Sequence, residues 1–131
     1  MRKIIYAVLI LFVTVTLSYG KQMKIRFEWT QELPSPNFMV GWKLYKGTVT
    51  GGPYTLVDTI VWPGIWPNDP LHVYSFERTE EVGDYSQGEA FYVLTAYDGS
   101  NVQSLYSNEA AWRWDFRRPP LPGGFKVTMV P

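Results

Sequence analysis

The chain has 131 residues, twelve basic and twelve acidic side chains, one histidine and no cysteine. That balance leaves no basic footprint for nucleic acid, and the missing cysteine excludes disulfides, thiolate metal sites and a lipid-modified cysteine. Aromatic residues make up 17% of the chain, with six tryptophans, so a domain of this size must draw its stability from packing large rings.

Arg2 and Lys3 precede an apolar run over residues 4–13, with a weaker continuation to Tyr19. This pattern reads as a secretory signal peptide. Ser18 and Gly20 put small side chains at the two positions a signal peptidase inspects, which predicts cleavage before Lys21. The alternative is an uncleaved anchor. Crossing the hydrocarbon core takes about 20 predominantly apolar residues, whereas this run is shorter and is interrupted by Thr14, Thr16 and Ser18. The expected product is secreted, extracellular or periplasmic, with no stable membrane insertion after cleavage. Residues 21–131 carry ten basic and twelve acidic groups, a net charge of −2, and their length suits one domain.

Met23, Ile25, Phe27 and Trp29 alternate with Lys24, Arg26, Glu28 and Thr30, a strand with one face for a core and one for water. Pro34 and Pro36 place a loop over residues 32–37. Residues 40–46 form the next strand, with Trp42 and Leu44 inward. Gly51-Gly52-Pro53 marks a turn before a shorter strand over residues 54–61. Residues 62–70 carry three prolines among two tryptophans and an isoleucine, so they read as an irregular aromatic loop. A strand follows over residues 73–76, then a polar connection over residues 80–88.

Residues 91–97 alternate strictly, Tyr92, Leu94 and Ala96 pointing one way and Phe91, Val93, Thr95 and Tyr97 the other. Asp98-Gly99 supplies a turn tolerant of positive φ, leading into a second strand. Trp112, Trp114 and Phe116 then share one face of an extended segment, opposite Arg113, Asp115 and Arg117. That stripe either packs on the core or meets a second chain. No helical periodicity stands out beyond the leader.

Three segments together resemble a fibronectin type III domain. They are Ile25-x-Phe27-x-Trp29, Gly41-Trp42-Lys43-Leu44-Tyr45, and the run Tyr92-x-Leu94-x-Ala96-Tyr97-Asp98 continued after a short turn by Gln103-Ser104-x-Tyr106-Ser107-Asn108-Glu109. The resemblance implies an all-β, antiparallel sandwich of immunoglobulin-like type with seven strands, and it implies no particular function. Two features depart from the family. Only Lys21 and Gln22 stand between the predicted cleavage point and the second-strand motif, so the family's first strand is missing at the amino end. At the other end residues 117–124 read as a Pro/Gly linker, and Phe125, Val127 and Met129 alternate with Lys126, Thr128 and Val130 as an edge strand would. The expected organisation is a signal peptide over 1–20, the sandwich over 21–116, the linker over 117–124 and a strand-like tail over 125–131. The tail is the candidate replacement for the missing strand, either within its own domain or in a neighbour.

Catalytic chemistry finds little support. His72 is alone, Asp69, Asp84 and Asp98 lack the alternating spacing of a calcium loop, and Glu80-Glu81 point to opposite faces of any strand and read as a solvated pair. No catalytic residue, cofactor or metal site is expected. The candidate contact residues are Trp62 and Trp66, as a sugar-stacking platform or as a cap on the sandwich end, together with Trp112, Trp114, Phe125, Val127 and Met129. The expected function is a non-enzymatic interaction or structural module whose partner is a protein or another copy of itself, with carbohydrate binding or adhesion as the alternative.

Overall fold

The computed structural model describes residues 11–17, 22–32, 39–64 and 71–131, with the backbone alone for residues 14–17. Its seven strands are β1 (Phe12–Leu17), β2 (Gln22–Thr30), β3 (Met39–Gly47), β4 (Thr55–Val61), β5 (Val73–Glu81), β6 (Gln87–Asp98) and β7 (Ala110–Asp115). They form a three-stranded sheet in the order β1-β2-β5 and a four-stranded sheet in the order β4-β3-β6-β7, all antiparallel. Among the described residues there is no helix, and so none long and apolar enough to cross a membrane.

The period-2 pattern decides which face each strand buries. Met23, Ile25, Phe27 and Trp29 of β2 are buried, as are Trp42 and Leu44 of β3 and Tyr92, Leu94 and Ala96 of β6. The intervening charges of β2 stay at the surface, where Lys24 pairs with Glu77 at 2.7 Å and Arg26 lies 3.2 Å from Glu28. The two inner faces meet through aromatic rings: Phe27 on Tyr92 at 4.8 Å between centroids, and Trp29 edge-on to Trp42 at 5.2 Å. Such pairs add about 0.5–1.5 kcal/mol each beyond the area they bury. With no cross-link available, this aromatic layer holds the sheets together.

The first strand is where the structure departs most from the sequence reading. The edge of β2 is not empty: β1, drawn from the apolar run expected to be a signal peptide, pairs with it from Phe12↔Glu28 to Leu17↔Met23. Leu11 is buried and Val13 packs against the core. The segment 125–130, expected to supply this strand, forms no strand at all. The reason is physical. Residues 11–13 are joined to β2 by a short connection and bring two aliphatic side chains to the unpaired edge, so local pairing meets the need without a long loop closure.

Two further expectations change. The strand predicted over residues 73–76 runs on to Glu81, which leaves only residues 82–86 as the connection to β6. Glu80 is therefore inside the sandwich, although Glu81 beside it is exposed. In the turn after β6 the positive φ falls on Asn101 (62°) and not on Gly99. The Asp98 carboxylate organises that turn by accepting from Ser100 N at 2.9 Å and Val102 N at 2.8 Å, and Asn101 N donates to Asp98 O at 3.0 Å. The chain then returns along β6 irregularly, with the Ser104 and Ser107 hydroxyls accepting from Ala96 N and Leu94 N before the regular ladder resumes at β7. Serines stand in for carbonyls here, so the second strand is shorter than its alternation suggested.

Strand directions follow from contacts between the sheets. Tyr74, at the start of β5, meets Trp42 near the start of β3 at 4.8 Å, and Glu80, near the end of β5, meets Lys46 near the end of β3 at 2.8 Å. So β5 and β3 run the same way. Since β1 and β5 are both antiparallel to β2, and β3 and β7 are both antiparallel to β6, β1 and β7 also run the same way. They lie side by side where β1 begins: Leu11 N donates to Asn108 Oδ1 at 3.1 Å, and Asn108 Nδ2 donates to Leu11 O at 3.4 Å.

Candidate functional site

The sandwich has two long seams, and they are closed by different chemistry. Along the seam between β5 and β4, Arg78 donates to Asp58 and, through Nε, to Glu80 at 2.7 Å, while Lys46 reaches Glu80 at 2.8 Å from β3. The Tyr92 hydroxyl also donates to Glu80 at 2.9 Å and itself accepts from Trp112 Nε1 at 3.2 Å. Burial pushes the Glu80 carboxyl up, but Lys46, Arg78 and Tyr92 together outweigh it and leave the group below the ordinary carboxylate range. Burial likewise drives the Tyr92 phenol well up, with Trp112 opposing and Glu80 adding to the rise. A fully paired carboxylate of this kind is a structural clasp. A general acid or base would need a group raised toward neutrality and open to substrate.

The opposite seam is closed by β1, which the Leu11–Asn108 hydrogen bonds tie to β7's side. Lift β1 away and the lining is apolar: Met23, Ile25 and Phe27 from β2, with Ala110 and Trp112 from β7, all buried. Trp112 is 5% exposed and Trp114 tilts over it at 4.7 Å, its Nε1 donating to Ser86 Oγ at 3.1 Å. Trp112 belongs to the core, and Trp114 and Phe116 pack against it. Gly88 is required opposite Trp114, because a Cβ there would lie 2.3 Å from the indole.

The tail residues lie elsewhere. Phe116 N donates to Ser86 O at 2.7 Å, which carries the chain past the end of the β6 ladder in the direction β7 was already taking. Arg118 then sits 4.2 Å over the Tyr85 ring, at the connection beyond β5 and β6. Beyond it Phe125, Val127, Met129 and Val130 are 85–91% exposed. An alternating apolar segment is thus carried off one end of the sandwich without packing on it.

Of the predicted sugar platform, Trp62 is half-buried against the core beside Tyr74, in the aromatic cluster that Trp29, Trp42 and His72 complete; Trp66 lies outside the described residues. His72 is exposed, stacked edge-on to Tyr74 at 4.7 Å. Asp84 lies in a turn, Asp98 ends β6 at the turn it organises, and Asp69 lies outside the described residues. Among the described residues no group of three or more His, Asp or Glu is placed to hold a metal ion. Sequence reasoning missed the Glu80 clasp, whose one signal was a carboxylate two residues after Arg78 in a strand, on the same face.

No family model matches the chain, and no curated protein matches it. Among solved structures, the matches include the crystal structure of an Fn3-like protein from Clostridium thermocellum, 20% identical, covering 80% of this chain and 90% of that chain with a TM-score of 0.43. The class of the protein, an all-β antiparallel sandwich, rests on the two sheets themselves.

Proposed function

We propose that this protein is an exported, non-enzymatic β-sandwich module that assembles with further copies of itself through residues 125–130. The observation that carries the reading is the tail. Phe125, Val127 and Met129 alternate with Lys126, Thr128 and Val130 in a strand pattern, yet all the apolar members are 85–91% exposed. Single exposed apolar residues are unremarkable, but a contiguous strand-patterned set has a hydrophobic reason to find a sheet edge. The ion pairs of Glu80 and the packing of Trp62 against the core give these two residues structural roles. Export follows from the leader, with cleavage before Lys21.

The test is size-exclusion chromatography with light scattering on the exported chain, with and without residues 119–131. Multimers that disappear on truncation support the reading. A monomer in both cases contradicts it.

A further inference from the structure

We propose that β1 is a placeholder: the leader fills the edge position of the sandwich until it is cut away, and residues 125–130 of a second copy then take that same position. The proposal rests on the reading above that the tail is a contact segment. It adds the site, the occupant, the polarity and the trigger.

The tail matches the pattern of the strand it would replace. The position holds Leu11 and Val13 inward and Phe12 outward, 60% exposed. In sequence the leader strand continues the alternation, Leu11-x-Val13-x-Val15-x-Leu17. With Phe125 in place of Leu11, the tail offers Phe125, Val127 and Met129 to the inner face and Lys126, Thr128 and Val130 to the outer one. Lys126 then stands where Phe12 stands, opposite Glu28, and exchanges an exposed ring for a cross-strand charge pair. The tail is a better edge strand for water-exposed use than the leader it replaces.

Strand direction also selects the tail of another copy. The position demands a strand that begins at the Leu11 end and runs as β7 runs. The tail leaves its own domain at the far end of β7, led outward by Phe116 on Ser86 and Arg118 on Tyr85. Continuing onward, it meets the Leu11 end of a following copy in the required polarity with no reversal. Filling its own edge would require the linker to run back along the six residues of β7, about 20 Å at 3.3 Å per residue, and to reverse at both ends through a stretch stiffened by Pro119, Pro120 and Pro122. The structure therefore favours a neighbour. Each copy gives a tail at one end and accepts one at the other, a head-to-tail arrangement that grows unless its rotation closes a ring.

Processing would set the timing of the exchange. Before processing, β1 is tethered to β2 through residues 18–21, so a tail must compete with an intramolecular strand. Hydrolysis of the Gly20–Lys21 peptide bond by an export peptidase consumes one water and leaves a carboxylate on Gly20 and an amine on Lys21. The strand is then held by pairing alone and is lost by dilution or with the membrane-bound leader. The apolar lining of Met23, Ile25, Phe27 and Trp112 is uncovered, and burial against a tail follows. Assembly is thereby confined to chains that have been exported.

The experiment uses the full chain with a site-specific protease sequence inserted after Gly20, and with Arg26→Cys and Thr128→Cys. These positions are opposite each other in the proposed register, because Thr128 would take the place of Thr14, which pairs with Arg26. The protein has no native cysteine to confuse the readout. After cleavage and mild oxidation, a ladder of disulfide-linked multimers is expected, with at least tenfold less of it before cleavage. Val127→Asp, at a position 89% exposed and so harmless to the fold, is expected to abolish the ladder. A disulfide within one copy overturns the second-copy occupant. Equal ladders before and after cleavage, or multimers by light scattering without the disulfide, overturn the placeholder while leaving the tail as a contact segment. No multimers under any condition overturn both.

Discussion

Gln31 shows how much of this domain depends on single polar contacts inside an aromatic layer. It is 1% exposed, and its Oε1 accepts from Trp42 Nε1 at 2.9 Å while its Nε2 donates to Glu32 O at 3.0 Å. Gln31→Leu leaves the indole N–H buried and unpaired, so a loss of about 1–3 kcal/mol is expected in urea unfolding followed by tryptophan fluorescence. Glu80 is the second such residue. Its carboxyl is held below the ordinary value of 4.5, so it stabilises the fold fully above that pH, and the contribution fades as pH falls through the depressed folded value. Glu80→Gln is expected to cost about 2 kcal/mol at pH 7 and to flatten the acid side of a stability-versus-pH curve. Tryptophan-detected melts between pH 3 and 7 check both effects. Trp42 as a core residue was legible from alternation alone. The partners Gln31 and Glu80 were not, because alternation reports which face a residue takes and says nothing of which polar groups the opposite sheet brings to meet it.

At the scale of elements, the strands most legible in the sequence were β2, β3, β4 and β6, whose alternation or flanking turns set them apart. Where side chains replace backbone partners, as Ser104 and Ser107 do beside β6, the pattern persists while the ladder does not. The edge strand was the largest miss. Both residues 12–17 and residues 125–130 alternate, and a leader signature diverted the first from consideration as structure. Two expectations follow from the observed assignment. Removing residues 119–131 from the uncut chain should leave its unfolding midpoint within about 0.5 kcal/mol in denaturant, since the tail makes no pairing contact there. Val13→Asp should do the opposite to assembly. A carboxylate among core side chains weakens β1, so light scattering should detect multimers even in uncut chains.

The whole molecule is a cysteine-free sandwich with two seams and one outward tail. The seam between β4 and β5 is locked by the charges of Arg78, Asp58, Glu80 and Lys46, and the opposite seam by β1. A backbone ladder and apolar inner contacts would join the copies, so long-range charge has little part in the joint at a net charge of −2 for residues 21–131. The most direct measurement is amide hydrogen exchange of the β2 groups that face β1, in chains whose leader has been released. Protection is predicted to persist in the assembled protein and to collapse when Val127→Asp is introduced. Rapid exchange in both chains, or equal protection in both, would contradict a tail seated on that edge.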